Sequence, residues 1–323
     1  MRPPDFWSRD DFNARLLASA LAPLGFLYGA SVRWKHRLQK PYRAAPKVVC
    51  VGNLTAGGSG KTPVAIAIGQ MLQIEGLSVA YLLRGYARRS RGALRVDLQT
   101  HNAAAVGDEA LLLAKIAPTI VSDDRAEGAR LAEREGADII IMDDGHQNFT
   151  LAKDLSLVVV DAESGFGNCR IIPSGPLREP VRQGLDRADA VILMGSGRPP
   201  LPGFTAPVLH ARLLSDRCLG GEPLVAFAGI GRPDKFFTSL RALGAKLVET
   251  HGFADHHVYS TAEIALLRER ARNAGATLMT TEKDLVRMNA GERAGIDVLP
   301  VKAVFDATRE LERLFAAMFN NLN

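Results

Sequence analysis

The feature that most constrains this chain is a glycine-rich segment, TAGGSGKT at residues 55–62, set between a short β-branched run and an apolar helical stretch. The run before it, KVVCVGN at 47–53, carries four consecutive apolar residues, as expected of a parallel strand buried on both faces. Gly57, Gly58 and Gly60 let the backbone turn with its N–H groups inward. Lys61 has the reach to meet the β and γ phosphates of a nucleoside triphosphate, and Thr62 can offer its hydroxyl to Mg2+. Pro63 suits the first turn of the following helix, whose positive dipole end then faces the phosphates. The expected cradle is therefore Thr55, Ala56, Gly57, Gly58, Ser59, Gly60, Lys61 and Thr62. One departure is visible, since the P-loop pattern opens on glycine and this segment opens on Thr55.

A phosphate cradle of this kind needs an acidic residue at the end of a second buried strand, to hold magnesium directly or through water. DIIIMDDG supplies it: residues 139–142 are apolar and lead into Asp143 and Asp144, the expected metal ligands together with Thr62. Strand-like runs at 79–83, 139–142, 155–160 and 191–194 alternate with helical stretches at 109–116 and 126–135. That alternation describes an α/β fold with a P-loop NTPase-like, largely parallel sheet. After a Pro/Gly-rich stretch at 195–204 the alternation resumes through PLVAFAG, FFTSLRALG, KLVETHG, TLMTTEK and IDVLPVKA, which predicts a second, smaller α/β domain. The expected division is residues 1–45 as an N-terminal membrane-associated helical segment, 46–215 as the P-loop core and 216–323 as the C-terminal α/β domain.

With 323 residues, 47% hydrophobic and 23% charged, the composition excludes wholesale disorder and multi-span membrane classes. A net charge of +5 is too small to argue for nucleic acid as a partner. The basic excess is local: no acidic residue occurs between Asp11 and Glu75, while Arg15, Arg33, Lys35, Arg37, Lys40, Arg43, Lys47 and Lys61 do. Residues 16–32 carry no charge and are flanked by both tryptophans, Trp7 and Trp34, as in an aromatic belt. Arg33, Lys35, Arg37 and Lys40 follow at once, so the positive-inside rule places the rest of the chain on the cytoplasmic side. A membrane anchor or interfacial helix is expected over a signal peptide or a core helix, interrupted as the stretch is by Pro23 and Gly25. Cys50, Cys169 and Cys218 are odd in number and lack metal-ligand spacing, which fits a reducing compartment. No internal repeat is evident.

The motif series VGNLTAGGSGKTP, LLRGYARR, VGDEALLLA, DDGHQN, IIPSGPLREP, FADHHVYS and TTEKD resembles the tetraacyldisaccharide 4'-kinase family of lipid A biosynthesis, from about residue 6 to residue 284. The resemblance accounts for Thr55, because this family has threonine where most P-loops have glycine. It implies ATP and Mg2+ as cofactors, an acylated glucosamine disaccharide lipid as acceptor, and a place on the cytoplasmic face of the inner membrane. By motif it implies Asp108 of VGDE as the catalytic carboxylate and His256 of DHH as its partner, with His257 the alternative. Arg178 of GPLREP resembles the arginine that contacts phosphate, and Lys61 completes the expected catalytic set; Arg125 is a second arginine candidate. Glu109, Gln147 and Glu179 belong to the same motifs as supporting residues. Many members have DDGxQH, whereas Asn148 stands at that histidine's position here. Arg84, Arg88, Arg89, Arg91 and Arg95 receive no site role. The alternative function is a P-loop GTPase or nucleotide-dependent membrane switch, but TEKD lacks the one-residue gap of [NT]-K-x-D. Near-normal turnover after Asp108→Ala would remove the base assignment.

Overall fold

The computed structural model describes residues 4–7, 9–86 and 88–320, so the outer limits expected for the first and last segments, residues 1 and 323, lie outside the described residues. Those residues form strands β1 (Lys47–Gly52), β2 (Val79–Leu83), β3 (Leu94–Arg95), β4 (Thr119–Val121), β5 (Ile139–Asp143), β6 (Leu155–Asp161), β7 (Ala190–Met194), β8 (Val208–Leu214), β9 (Pro223–Ala228), β10 (Lys246–Gly252), β11 (Thr277–Thr281), β12 (Ile296–Leu299) and β13 (Lys302–Phe305). They make two sheets, in the orders β13-β8-β7-β6-β1-β5-β2-β4-β3 and β10-β9-β11-β12. The larger sheet is parallel except at its edges, where β3 and β13 run antiparallel to their neighbours. All three pairings of the smaller sheet are parallel.

The central strands are unbroken apolar runs because both of their faces are covered. Val49 and Val51 of β1, with Ile139 and Ile141 of β5, pack on the side of the helix Lys61–Ile74. Val48, Ile140 and Met142 point the other way, against Ala129 and Ala132 of the helix Arg125–Arg134. Burying each such side chain contributes about 1.5–3 kcal/mol. The chain leaves β1 toward β2 on one side and later returns to β6 on the other. The carboxyl end of β1 therefore lies where the strand order reverses, the position at which open α/β sheets form a ligand crevice.

The smaller lobe repeats this logic. Phe236, Phe237 and Leu240 of the helix Pro233–Ala242 cover one face of β9, and Ile264, Leu267 and Ala271 of the helix Thr261–Asn273 cover the other. Its extent differs from the expected 216–323. After β12 the chain passes Pro300 and enters β13, which pairs with β8 from Lys302↔Leu214 to Phe305↔Ala211. Proline cannot donate to a ladder, so IDVLPVKA is two strands in two sheets rather than one. Leu311, Phe315 and Met318 share one face of the helix Thr308–Asn320 and join the large-sheet core. The lobe is thus joined to the large sheet by residues 215–222 and by residues 300–301. These two connections are tied together, since Lys302 pairs with Asp216 at 2.6 Å and Arg217 holds Asp297 at 2.7 Å and the Val298 carbonyl at 2.8 Å.

The N-terminal helix Phe12–Leu38 starts on Asp11, whose side chain accepts the Ala14 N–H at 3.0 Å. Its buried residues, Ala14, Ala18, Gly25 and Gly29, form a stripe of small side chains. A Cβ on Gly25 would lie 2.8 Å from the Ile171 carbonyl oxygen, so the helix seats closely on the 171–174 loop only because that atom is missing. Pro23 leaves the Ser19 carbonyl without its helical donor. Beside it, the Ala18 carbonyl accepts from Ser174 Oγ and Arg170 Nη1. Outside that stripe the large apolar side chains Phe12, Leu16, Leu24, Phe26, Leu27 and Trp34 are all exposed, with Arg33, Lys35 and Arg37 toward the helix end. It is the one described helix long and apolar enough to cross a membrane.

Candidate active site

The glycine loop lies between β1 and the helix Lys61–Ile74, pinned by the Ala56 N–H donating to the Pro176 carbonyl at 2.7 Å and by a bridge from Thr55 to Leu177. Gly57 and Gly60 have φ of 114° and 88°, the left-handed region that a side chain resists. No heavy atom would lie within 4 Å of a Cβ on Gly57 or Gly58. Ser59 is buried and receives Asn53 Nδ2 at 3.1 Å, which fixes the loop to the strand before it.

Asp143 ends β5 at the level of Val51 in β1. Its Oδ2 accepts the Thr62 hydroxyl at 2.9 Å, while its Oδ1 is buried without a partner. Burial, then the charge of Glu109, pushes its carboxyl up to about 7. An unpaired buried carboxylate oxygen beside a P-loop threonine fits a hard cation, which takes one or two protein oxygens and completes its shell with phosphates and water. That small donor set agrees with the lack, among the described residues, of any cluster of three or more metal-binding side chains. Asp144, at φ 53°, is engaged differently: Arg178 grips both oxygens at 2.7 and 3.0 Å and Lys61 stands 3.6 Å away. Burial opposes its charge, but Lys61 and Arg178 outweigh burial and hold it well below the usual carboxylate range. Asp143 thus has a buried, unpaired oxygen, whereas Asp144 is more exposed and has both oxygens held by Arg178.

Across from the loop, Asp108 opens the short helix Asp108–Ala114 and is 5% exposed. Its Oδ2 meets His256 Nδ1 at 2.9 Å, so the structure brings together two residues that are 148 positions apart. His257 is occupied elsewhere, stacked on Phe253 and paired with Glu263 at 3.0 Å. The sequence reading missed Arg287, whose Nε and Nη2 also donate to Asp108 Oδ2, at 2.8 and 2.6 Å. Its only local signal is its place just after TTEKD. The two lobes close on the cradle itself: a Cβ on Gly231 would stand 3.5 Å from Gly58 N and 3.6 Å from Asp255 Oδ2. Lys283 pairs with Glu109 at 3.0 Å, and Lys235 with Asp161 at 2.7 Å, as further links between the lobes.

The remaining motif residues hold these groups in place. Gln147 bridges the Asn53 carbonyl and Glu179, and Glu179, 2% exposed, takes both carboxylate bonds from Arg187. His146 of DDGHQN is buried between Ser156 and the Gly184 carbonyl, and burial pushes it down to about 3, so it is neutral. Asn148 forms a turn with Thr150. Arg125 is buried and donates to the Ser122 carbonyl at 2.6 Å. Arg88 is a buried strut that bonds the Val121 and Gly92 carbonyls and Asp123. In TTEKD, Thr281 caps a helical turn, and Asp284 accepts from Gly229 N, Tyr259 and Arg287. With its carboxylate fully buried and bonded, Asp284 is unavailable to read a guanine.

A P-loop at the reversal point of a parallel sheet, faced by an Asp–His pair contributed from two lobes, defines a phosphotransferase of the P-loop class. The chain matches the family model for tetraacyldisaccharide-1-P 4'-kinase over residues 17–320 and belongs to that family. Proteins called tetraacyldisaccharide 4'-kinase are similar over nearly the whole length. The one from Paramagnetospirillum magneticum is 49% identical, over 98% of each chain, and the one from Methylobacterium sp. (strain 4-46) is 50% identical, over 94% of this chain and 92% of its own. The crystal structure of LpxK from Aquifex aeolicus in complex with ATP superposes with a TM-score of 0.73 at 27% identity, covering 94% of this chain and 99% of that one.

Proposed function

We infer that this chain is a tetraacyldisaccharide 4'-kinase, moving the γ-phosphoryl group of ATP to the 4'-hydroxyl of a tetraacylated glucosamine disaccharide 1-phosphate. Family membership supplies the substrate, and the observation that carries the chemistry is the Asp108–His256 contact at 2.9 Å beside the glycine loop. In-line transfer needs the phosphates fixed, their charge offset and an outlet for the hydroxyl proton. The loop N–H groups and Lys61 bind the triphosphate, Arg178 on Asp144 stands by the phosphates as a second cationic group, and the Asp108–His256 pair receives the proton. Thr62 and Asp143 are the residues suited to Mg2+, with Asp144 next to them; when bound, the ion offsets charge on the β and γ oxygens. The exposed apolar side chains of the N-terminal helix, with Arg33, Lys35 and Arg37 near its end and Lys40 just after it, support attachment to the cytoplasmic face of the inner membrane, where such an acceptor resides.

The test is incubation of the full chain with γ-labelled ATP and tetraacyldisaccharide 1-phosphate, with GTP as comparison. Label is expected in the lipid. Free phosphate without labelled lipid would favour a nucleotide switch and overturn the kinase reading.

A further inference from the structure

The direction in which Arg178 presents its guanidinium is set by its neighbours. Nη1 donates to Asp144 Oδ1 at 2.7 Å and to Gln147 Oε1 at 3.3 Å, and Nη2 donates to Asp144 Oδ2 at 3.0 Å. The Gln147 amide turns its oxygen to Arg178 because its nitrogen is engaged elsewhere: Nε2 donates to the Asn53 carbonyl at 2.8 Å and to Glu179 Oε1 at 2.9 Å. Turning that amide over would set its oxygen against two acceptors and its N–H groups against a guanidinium that only donates. Glu179 is 3% exposed in its side chain, and a carboxylate so buried needs a cation beside it. Arg187 is that cation. Its Nη2 donates to both Glu179 oxygens, at 2.7 and 2.8 Å, while Nη1 donates to the Gln183 carbonyl at 2.7 Å. The guanidinium also lies over the Phe149 ring at 5.3 Å, and His36 of the N-terminal helix lies against the same ring at 4.6 Å. A row of contacts thus runs from that helix through Phe149, Arg187, Glu179, Gln147 and Arg178 to Asp144.

We propose that Arg187 is a positioning residue: by holding the Glu179 carboxylate it fixes the Gln147 amide, and through that amide the direction in which Arg178 faces the phosphates. The inference rests on the kinase reading above, in which Arg178 is the second cationic group beside the triphosphate. Among the described residues no hydrogen bond or ion pair joins Arg187 to Lys61, Thr62, Asp143 or Asp144, so its influence on transfer has to pass through the intervening side chains. A salt bridge that served only to secure the fold would lower stability when broken and leave the turnover of the folded enzyme as it was. A positioning residue lowers turnover itself, and does so only while Gln147 is there to pass the constraint on.

The test measures kcat and KM for lipid phosphorylation by the full chain in wild type, Arg187→Met, Arg187→Lys, Gln147→Leu and the double variant Arg187→Met/Gln147→Leu. Arg187→Met is expected to lose about tenfold or more in kcat, with KM for ATP within about twofold of wild type because the glycine loop and Lys61 stay in place. Arg187→Lys should restore part of the rate, since an ammonium can meet the carboxylate that a single nitrogen, Nη2, holds in the wild type. With Gln147 gone the path to Arg178 is cut, so in the Gln147→Leu background Arg187→Met should cost less than about twofold more. Losses that multiply in the double variant, or a loss carried by KM for ATP alone, overturn the proposal. So does an Arg187→Met enzyme that is weaker to urea yet turns over at the wild-type kcat. Should the variants fail to fold, nitrogen-15 NMR of the wild-type Gln147 side-chain amide decides: two distinct proton signals protected from exchange are expected, and exchange as fast as in a free amide refutes the fixed amide. If the wild type labels no lipid the kinase reading fails, while the amide signals still report on the contacts of Gln147 with Glu179 and Asn53.

Discussion

Replacing Asp108 by alanine should damage stability as well as turnover. Asp108 and Arg287 expose 6% and 4% of their side chains, so Asp108→Ala leaves two guanidinium N–H groups and a ring nitrogen facing a buried void. Removing one partner of a buried pair costs about 3–5 kcal/mol. The lower end applies because Arg287 keeps the Gly229 carbonyl and Asp284, and loss of a carboxylate in the first helical turn adds about 0.3–1 kcal/mol. The expected destabilisation is therefore about 3–4 kcal/mol. Urea unfolding followed by far-UV circular dichroism measures it. Turnover should fall about 100-fold or more, with ATP binding nearly intact. The double variant Asp108→Ala/Arg287→Met also takes the guanidinium from Asp284 and the Gly229 carbonyl, so it should be weaker than the single one. An Asp108→Ala protein as stable as wild type would refute the assignment of a buried, mutually dependent pair.

Asp143, pushed up to about 7 by burial, holds a proton in the metal-free folded protein that the unfolded chain sheds near 3.8. The stability so gained is present below the unfolded value and is lost as pH rises through about 7, so added Mg2+ should raise the melting temperature more at pH 8 than at pH 6; equal shifts would exclude Asp143 as a ligand. Leu24→Lys/Leu27→Lys puts two charges on the bare helix surface at about 3 kcal/mol each in a bilayer, and should move the protein to soluble fractions with its circular dichroism unchanged. Retention in the membrane fraction would place attachment on another surface. Gly52→Ala would set a Cβ 2.5 Å from His146 Cβ and 2.9 Å from its backbone nitrogen, costing about 1–3 kcal/mol and displacing the turn that carries the acidic pair. Calorimetry should show weaker Mg–ATP binding, and unchanged binding would mean that the turn yields freely.

The cradle, the acidic pair and the large sheet were legible because each is local in sequence: strand, glycine loop and helix are consecutive, and Asp143 directly follows four apolar residues of β5. The meeting of Asp108 with His256 was reached only through resemblance, since no periodicity links positions 148 apart. Arg287 was not legible. A buried arginine carries no spacing signature, and its partner lies 179 residues away. The return of β13 to the large sheet was missed because IDVLPVKA looks like a single strand, although Pro300 and the spacing of Leu311, Phe315 and Met318 were signals that it is not. Asp144 shows the opposite limit: its position was found, but only coordinates reveal that Arg178 already holds both of its oxygens.

The paired connections at 215–222 and 300–301 act as one pivot, because Lys302 and Asp216 clasp them together. One leaves β12, and the other leads into β9 while its Glu222 carbonyl accepts the Lys246 N–H at the start of β10, so the pivot reaches both sides of the smaller sheet. Because Asp108 and His256 come from different lobes, any opening about that pivot would part them.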